Sequence, residues 1–186
     1  MEAIFNFDAG ILLWIQNNVR AAFATPVVNL ITHLGDKGIF WILLTLALLI
    51  FKKTRRIGLT CMISMIIGLA VTNIVIKNWV ARIRPYELIE GLERIIEAQK
   101  DFSFPSGHST NSFACAWVVF RMTEKKYGVP ALVLAILIAL SRLYVGVHYP
   151  TDVLAGAAIG IVCAICALRI VPALIKRFPK LEKIVG

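Results

Sequence analysis

Residues 57–76 form an unbroken run without a single charged side chain. A helix rising about 1.5 Å per residue carries such a run across a hydrocarbon layer of about 30 Å. In that layer no water satisfies backbone N–H and C=O groups, so a helix, which pairs them internally, is the economical solution. Composition agrees. The chain is 59% hydrophobic and 17% charged, with a mean hydropathy of +0.78, far more apolar than a soluble domain. The expectation is an all-α, polytopic membrane helix bundle. Its 186 residues leave room for about six spans and form one domain, 1–186.

Further apolar runs occupy residues 39–51, 107–120, 129–147 and 153–175, while residues 3–34 are mixed and read as an interfacial amphipathic helix followed by a crossing. Basic residues collect at one set of ends: Lys52, Lys53, Arg55 and Arg56, then Arg121, Lys125 and Lys126, then Arg169, Lys176, Arg177, Lys180 and Lys183. Such clusters face the cytoplasm, which predicts a multi-pass cell-membrane protein with both termini cytoplasmic. The net charge of +9 is therefore a topology signal, and no basic stripe for nucleic acid is present. Cys61, Cys115, Cys163 and Cys166 fall in apolar runs, where cysteine acts as a small hydrophobe. Glu2 and Asp8 stand where a secretory signal would be basic. Residues 86–101 are net acidic, and the spacing of Leu88, Leu92, Ile95 and Ile96 predicts a short amphipathic surface helix. Gly156 and Gly160 give one helix a face for close packing.

The opposite ends of the same runs carry polar chemistry. The stretch 141–152 holds Arg142, His148 and Asp152 between two apolar runs, where ionisable groups are costly and point to function. If Pro150 opens the next helix, Asp152 lies in its first turn and can orient His148. Lys77 and Arg84 stand seven residues apart, about two helical turns, so both face one spot if the helix continues, with Arg82 off that face. Ser106 is a candidate N-cap, Gly107 allows close backbone approach, and His108 sits in the first turn of a helix whose free N–H groups suit an anion. Taken singly, each cluster also reads as cations and histidines reaching for headgroups.

Together these groups supply fixed cations, backbone donors, two histidines and a carboxylate, which is what phosphoryl transfer needs, and no acidic set suited to magnesium accompanies them. The spacing Lys77 to Arg84-Pro85, then Pro105-Ser106-Gly107-His108, then Ser141-Arg142 to His148 and Asp152, resembles the three-part signature of the type 2 phosphatidic acid phosphatase (PAP2) family. The resemblance implies a six-helix membrane enzyme that removes phosphate from lipid phosphates or diphosphates through a phosphohistidine, with no metal or other cofactor. By the same resemblance His148 is the nucleophile, Asp152 its orienting partner and His108 the general acid. Lys77, Arg84, Ser106, Gly107 and Arg142 then hold the phosphate. The family also includes vanadate-binding haloperoxidases, which are soluble. The implied partners are membrane lipids and a lipid phosphate substrate, with undecaprenyl diphosphate the first expectation. Phosphatidylglycerol phosphate, phosphatidic acid or a lipid A phosphate are alternatives, and a catalytically silent lipid binder or transporter is the reading from another class.

Overall fold

The computed structural model describes residues 2–185, which are mainly helical with no strand among them. The order is α1 (Glu2–Asn18), α2 (Thr25–Leu34), α3 (Ile39–Ile50), α4 (Arg55–Leu69), a π-helical segment (Ala70–Ile76), α5 (Lys77–Val80), α6 (Pro85–Leu88), α7 (Gly107–Met122), α8 (Lys125–Tyr144), α9 (Pro150–Arg177) and α10 (Pro179–Val185). Among the described residues three helical stretches are long and apolar enough to cross a membrane: Lys52–Leu88, Lys125–Tyr144 and Pro150–Arg177. The pair α2 and α3, bent by 46°, counts as a fourth if it is one broken span. Helix α7 packs between α4, α8 and α9 but has only 16 residues and a polar first half. The expected six helices are thus met approximately, by α1, α2–α3, α4–α5, α7, α8 and α9.

The bundle buries polar side chains alongside its apolar core and is apolar outside. Thr60, Ser64, Thr72, Ser109, Thr110 and Ser112 are buried, while Leu43, Ile66, Ile74, Leu154 and Val162 are exposed. Lipid offers no hydrophobic drive between helices, so close contact and interhelical hydrogen bonds hold them. Trp41 Nε1 donates to Ser112 Oγ at 2.8 Å, and Ser64 Oγ donates to the Ala114 carbonyl at 3.0 Å. Gly156 and Gly160 make the α7–α9 crossing: a Cβ on them would lie 2.5 Å from the Ser106 carbonyl oxygen and 2.4 Å from that of Thr110. The small-residue face expected from sequence is this contact.

Successive long helices reverse direction, so the end of α5, the start of α7, the end of α8 and the start of α9 meet at one end of the bundle. The basic clusters around Arg55, Lys125 and Arg177 lie at the other. Among the described residues, the polar contacts that α1 and the turn after it make with the rest of the fold are at the first end: Asp8 to Arg82 and Thr151, Gln16 to Gly91 and Glu93, and Arg20 to the Tyr144 carbonyl. Helix α1 sits at the site end, while α9 runs away from it to α10.

A correction concerns residues 89–103, which form turns and irregular chain and not an amphipathic helix. Ile89 and Leu92 are buried against Leu12, Leu143 and Tyr149, and the Ile95 N–H donates to the Val145 carbonyl. Their apolar spacing is used by tertiary packing, and Gly91 at φ +78° breaks the helical path.

Candidate active site

The first motif folds in a way that spacing alone does not predict. A π-helical segment rephases the chain over Ala70–Ile76, a feature frequent at functional sites. Helix α5 ends at Val80, and Ala81 takes a left-handed conformation at φ +47°, a strained place for a residue with a Cβ. Lys77 and Arg84 therefore do not share a helical face, yet the reversal brings both side chains, each almost fully buried, to the same spot. The spot already holds an anion, the Asp101 carboxylate. It accepts a hydrogen bond from Lys77 Nζ and one of 2.6 Å from Arg84. Burial alone would raise the Asp101 carboxyl, but the two cations outweigh it and hold it below its ordinary range.

Pro150 opens α9 as expected, and Asp152 in the first turn is fully buried. Its Oδ2 accepts from the Tyr149 N–H at 3.0 Å and from Ser103 Oγ, and lies 3.4 Å from His148 Nδ1. With that contact assigned as Nδ1–H donating to the carboxylate, Nε2 carries a free lone pair, 3.3 Å from an Arg84 nitrogen. His148 is 2% exposed, more enclosed than a histidine at an open mouth. Burial first, then the nearby Arg84 and Arg142 cations, push its imidazole down to about 3 against the pull of Asp152. It is neutral near pH 7, the form able to act as a nucleophile.

Ser106 caps α7, its Oγ accepting from the Ser109 N–H at 3.4 Å. Its own N–H donates to the Asp152 carbonyl at 3.0 Å, so this amide ties the two motifs together instead of facing open space. Gly107 and His108 do line the cavity between the motifs. Sequence reasoning gave His108 no partner, but Asp36, in the turn between α2 and α3, has one oxygen 3.0 Å from His108 Nε2 and the other 2.7 Å from His33 Nδ1. Arg142 is fully buried; one terminal nitrogen donates to Thr32 Oγ1 at 2.6 Å, and its Nε has no protein partner.

These side chains enclose a polar cavity of about 160 Å³, with Lys77, Arg84, His108, Arg142 and His148 in its wall. Lys77, Arg84 and Asp101 also border an adjoining space of about 530 Å³. A neutral imidazole with a fixed tautomer, the cations Lys37, Lys77, Arg84 and Arg142 set against the single carboxylate of Asp101 around one small volume, and a second histidine on a carboxylate can together bind an oxyanion and exchange a group on it. The sequence reading passed over Asp8, Asp36, Arg82 and Asp101. Only Asp8, a lone acid in an apolar helical run, left a local trace.

The PAP2 superfamily model matches residues 58–176. An undecaprenyl-diphosphatase of Sulfolobus acidocaldarius is 37% identical over 120 residues, covering 64% of this chain and 58% of that protein, so the chain spans less than two thirds of that relative's length. A phosphatidylglycerophosphatase B of Bacillus subtilis is 32% identical over 158 residues, 77% of this chain and 73% of that one. The crystal structure of a transmembrane PAP2-type phosphatidylglycerolphosphate phosphatase from Bacillus subtilis superposes with a TM-score of 0.77 at 28% identity, covering 96% of this chain and 90% of the other. The family match begins within α4, ends within α9 and takes in the whole cavity wall save the bend at residues 35–38, and on that ground the chain belongs to the PAP2 superfamily.

Proposed function

We propose that the protein is a membrane lipid phosphatase that works through a phosphohistidine on His148 and without a metal. The observation that carries this is the His148 Nε2, backed through Nδ1 by Asp152 and opening on a cavity ringed by Lys77, Arg84 and Arg142. The Nε2 lone pair attacks phosphorus while the bond to the leaving oxygen breaks, and His108 donates a proton to that oxygen. Water then attacks the phosphohistidine, the P–N bond breaks, and His108 takes the proton from the water, so inorganic phosphate leaves and both histidines are restored. Lys77, Arg84, Arg142 and the Gly107 turn hold the equatorial oxygens, supplying the charge that a metal supplies elsewhere.

The first substrate is undecaprenyl diphosphate. The likeness to the Sulfolobus protein supports it, as does the larger space beside the cavity, where the second phosphate of a diphosphate fits next to Lys77 and Arg84. A lipid phosphate monoester such as phosphatidylglycerol phosphate is the second reading, favoured by the longer alignment and the structural likeness to the Bacillus subtilis proteins. The chemistry lies at the extracytoplasmic face. All acids except Glu124 and Glu182 fall at the site end of the bundle, whereas the basic clusters mark the other end. Helix α1 is then extracytoplasmic and the C-terminus cytoplasmic. Phosphate release from a panel of lipid phosphates and diphosphates by the purified protein in detergent tests the function. Turnover of none of them would return the chain to the class of lipid binders.

A further inference from the structure

Three charged side chains from distant parts of the chain, Asp8, Arg82 and Asp152, meet at the start of α9. Asp8 on α1 is fully buried, as is Asp152, and Arg82 lies between them. One Arg82 terminal nitrogen donates to Asp8 Oδ2 at 2.8 Å; the other donates to Asp152 Oδ1 at 2.6 Å and to Thr151 Oγ1 at 2.7 Å. Thr151 closes the ring, its hydroxyl donating to Asp8 Oδ2 at 2.5 Å and its N–H to Asp8 Oδ1 at 3.2 Å. The guanidinium carbon lies over the Tyr149 ring, 3.7 Å from its centroid. The two Asp152 oxygens thus have separate duties: Oδ1 takes Arg82, and Oδ2 takes His148, Ser103 and the Tyr149 amide.

We infer that Arg82 and Asp8 are positioning residues for the His148–Asp152 pair, and that α1, outside the stretch matched by the family model, is thereby part of the catalytic apparatus. The inference rests on His148 being the nucleophile. An isolated buried carboxylate is costly, and two of them sharing one site without a cation take up a proton. Arg82 prevents this by bridging both with its planar fork, which the point charge of a lysine does not reproduce. Asp8 in turn fixes Arg82 by claiming its second nitrogen. A protonated or rotated Asp152 no longer holds the His148 Nδ1–H, and Nε2 loses its aim. The titratable and charged groups around Asp152 are His148, Arg82, Asp8, Tyr149 and Lys77, so Arg82 is the cation in direct contact with its Oδ1.

The test measures kcat, KM and their pH profiles in detergent for Arg82→Met, Arg82→Lys, Asp8→Asn and the double variant Asp8→Asn/Arg82→Met, beside wild type and His148→Ala. Arg82→Met is expected to lower kcat by roughly 10- to 100-fold with KM little changed, in the range seen when a partner behind a reacting group is lost. Its acidic limb should move to higher pH, because Asp152 without its cation holds a proton longer. Arg82→Lys recovers part of the loss. The double variant should have an acidic limb closer to wild type than Arg82→Met alone, since only one buried carboxylate remains. A merely structural role lowers thermal stability and the active fraction but leaves the limb in place. Wild-type kcat and an unmoved limb in Asp8→Asn and Arg82→Met, with His148→Ala inactive, overturn the inference alone. Turnover by His148→Ala overturns the nucleophile on which it rests. Where Arg82→Met does not fold, the near-isosteric Asp8→Asn decides: a lowered kcat with a shifted limb supports the pair, and a wild-type profile sinks it.

Discussion

The Asp101 carboxylate accepts a hydrogen bond of 2.6 Å from Arg84, and so an internal anion occupies a cation proposed above to hold the substrate phosphate. Lys77 shares the same carboxylate. A phosphate entering the cavity must displace Asp101, whose side chain is 54% exposed and free to swing outward. Asp101→Asn should therefore bind orthophosphate and orthovanadate several-fold more tightly, seen as lower inhibition constants. The sign with pH follows from the depressed carboxyl. Competition is full well above its ordinary value of 3.8 and fades as pH falls through the lower folded value, and the ion pair's small contribution to stability is lost over the same window. Unchanged or weaker anion inhibition in Asp101→Asn would show that the carboxylate is no competitor.

His148→Ala should abolish turnover, because losing the nucleophile removes the covalent route. The residue is buried, so melting in detergent must accompany the assay, and His148→Gln offers a variant closer in volume. His108→Ala should be severely impaired with poor leaving groups and less so with good ones. Asp36→Asn should follow the same trend more mildly, since Asp36 lies on His108 Nε2. Retention of more than about 1% of wild-type kcat by both His148 variants would exclude the phosphohistidine route.

Gly160→Ala is a prediction about stability. The new Cβ meets the Thr110 carbonyl at 2.4 Å and the Ala114 nitrogen at 2.9 Å, both backbone atoms that no rotamer change can move aside. Separating α7 from α9 should destabilise the protein by about 1–3 kcal/mol, read as a fall in melting temperature in detergent. The same separation draws the Ser106 N–H from the Asp152 carbonyl, so activity should fall in parallel.

Activity should survive EDTA and be inhibited by orthovanadate. Cations and imidazoles outnumber the one carboxylate, Asp101, around the cavity: Lys77, Arg84 and Arg142 answer the charge of a phosphate directly, and vanadate can become five-coordinate opposite a histidine nitrogen. Loss of turnover on EDTA treatment, restored by magnesium, would count against the assignment.

The parts of this site that were readable in the sequence are the ones built locally. His148 and Asp152 are four residues apart across a proline-initiated helix, and Ser106 caps the helix that follows it; both relationships are set by the first turn of a helix. Lys77 and Arg84 converge as expected, but through a π-segment and a left-handed Ala81 that a regular helical period does not contain. Asp8, Asp36 and Asp101 reach their partners from other elements, Asp8 binding Thr151 from 143 positions away, and pairing at that range leaves no periodic trace. The missing helix after Leu88 has the same cause. Ile89, Leu92 and Ile95 satisfy their side chains and backbone against α1 and α8, so their spacing was evidence of burial and not of helix.

The sidedness of the site decides where the chemistry happens, and single-cysteine labelling can measure it. The basic clusters near Arg55, Lys125 and Arg177 cap the end of the bundle opposite the cavity, and the positive-inside bias supports the proposed outward-facing cavity. A lipid can then enter between helices with its tail in the bilayer and its phosphate at headgroup depth. Gly91 is unsuitable for a probe because its φ of +78° strains any other residue, whereas Glu97 is exposed in the same loop. Cysteines at Glu97, Glu2 and Lys125, each in a variant lacking the four native cysteines, should be treated in intact cells with a membrane-impermeant maleimide. Labelling is expected at Glu97→Cys and at Glu2→Cys, since α1 lies along the site end, and protection at Lys125→Cys until the cells are opened. The reverse pattern would place phosphate release in the cytoplasm. Labelling at Glu97→Cys with protection at Glu2→Cys would detach α1 from the site end, and the contact between Asp8 and Arg82 with it.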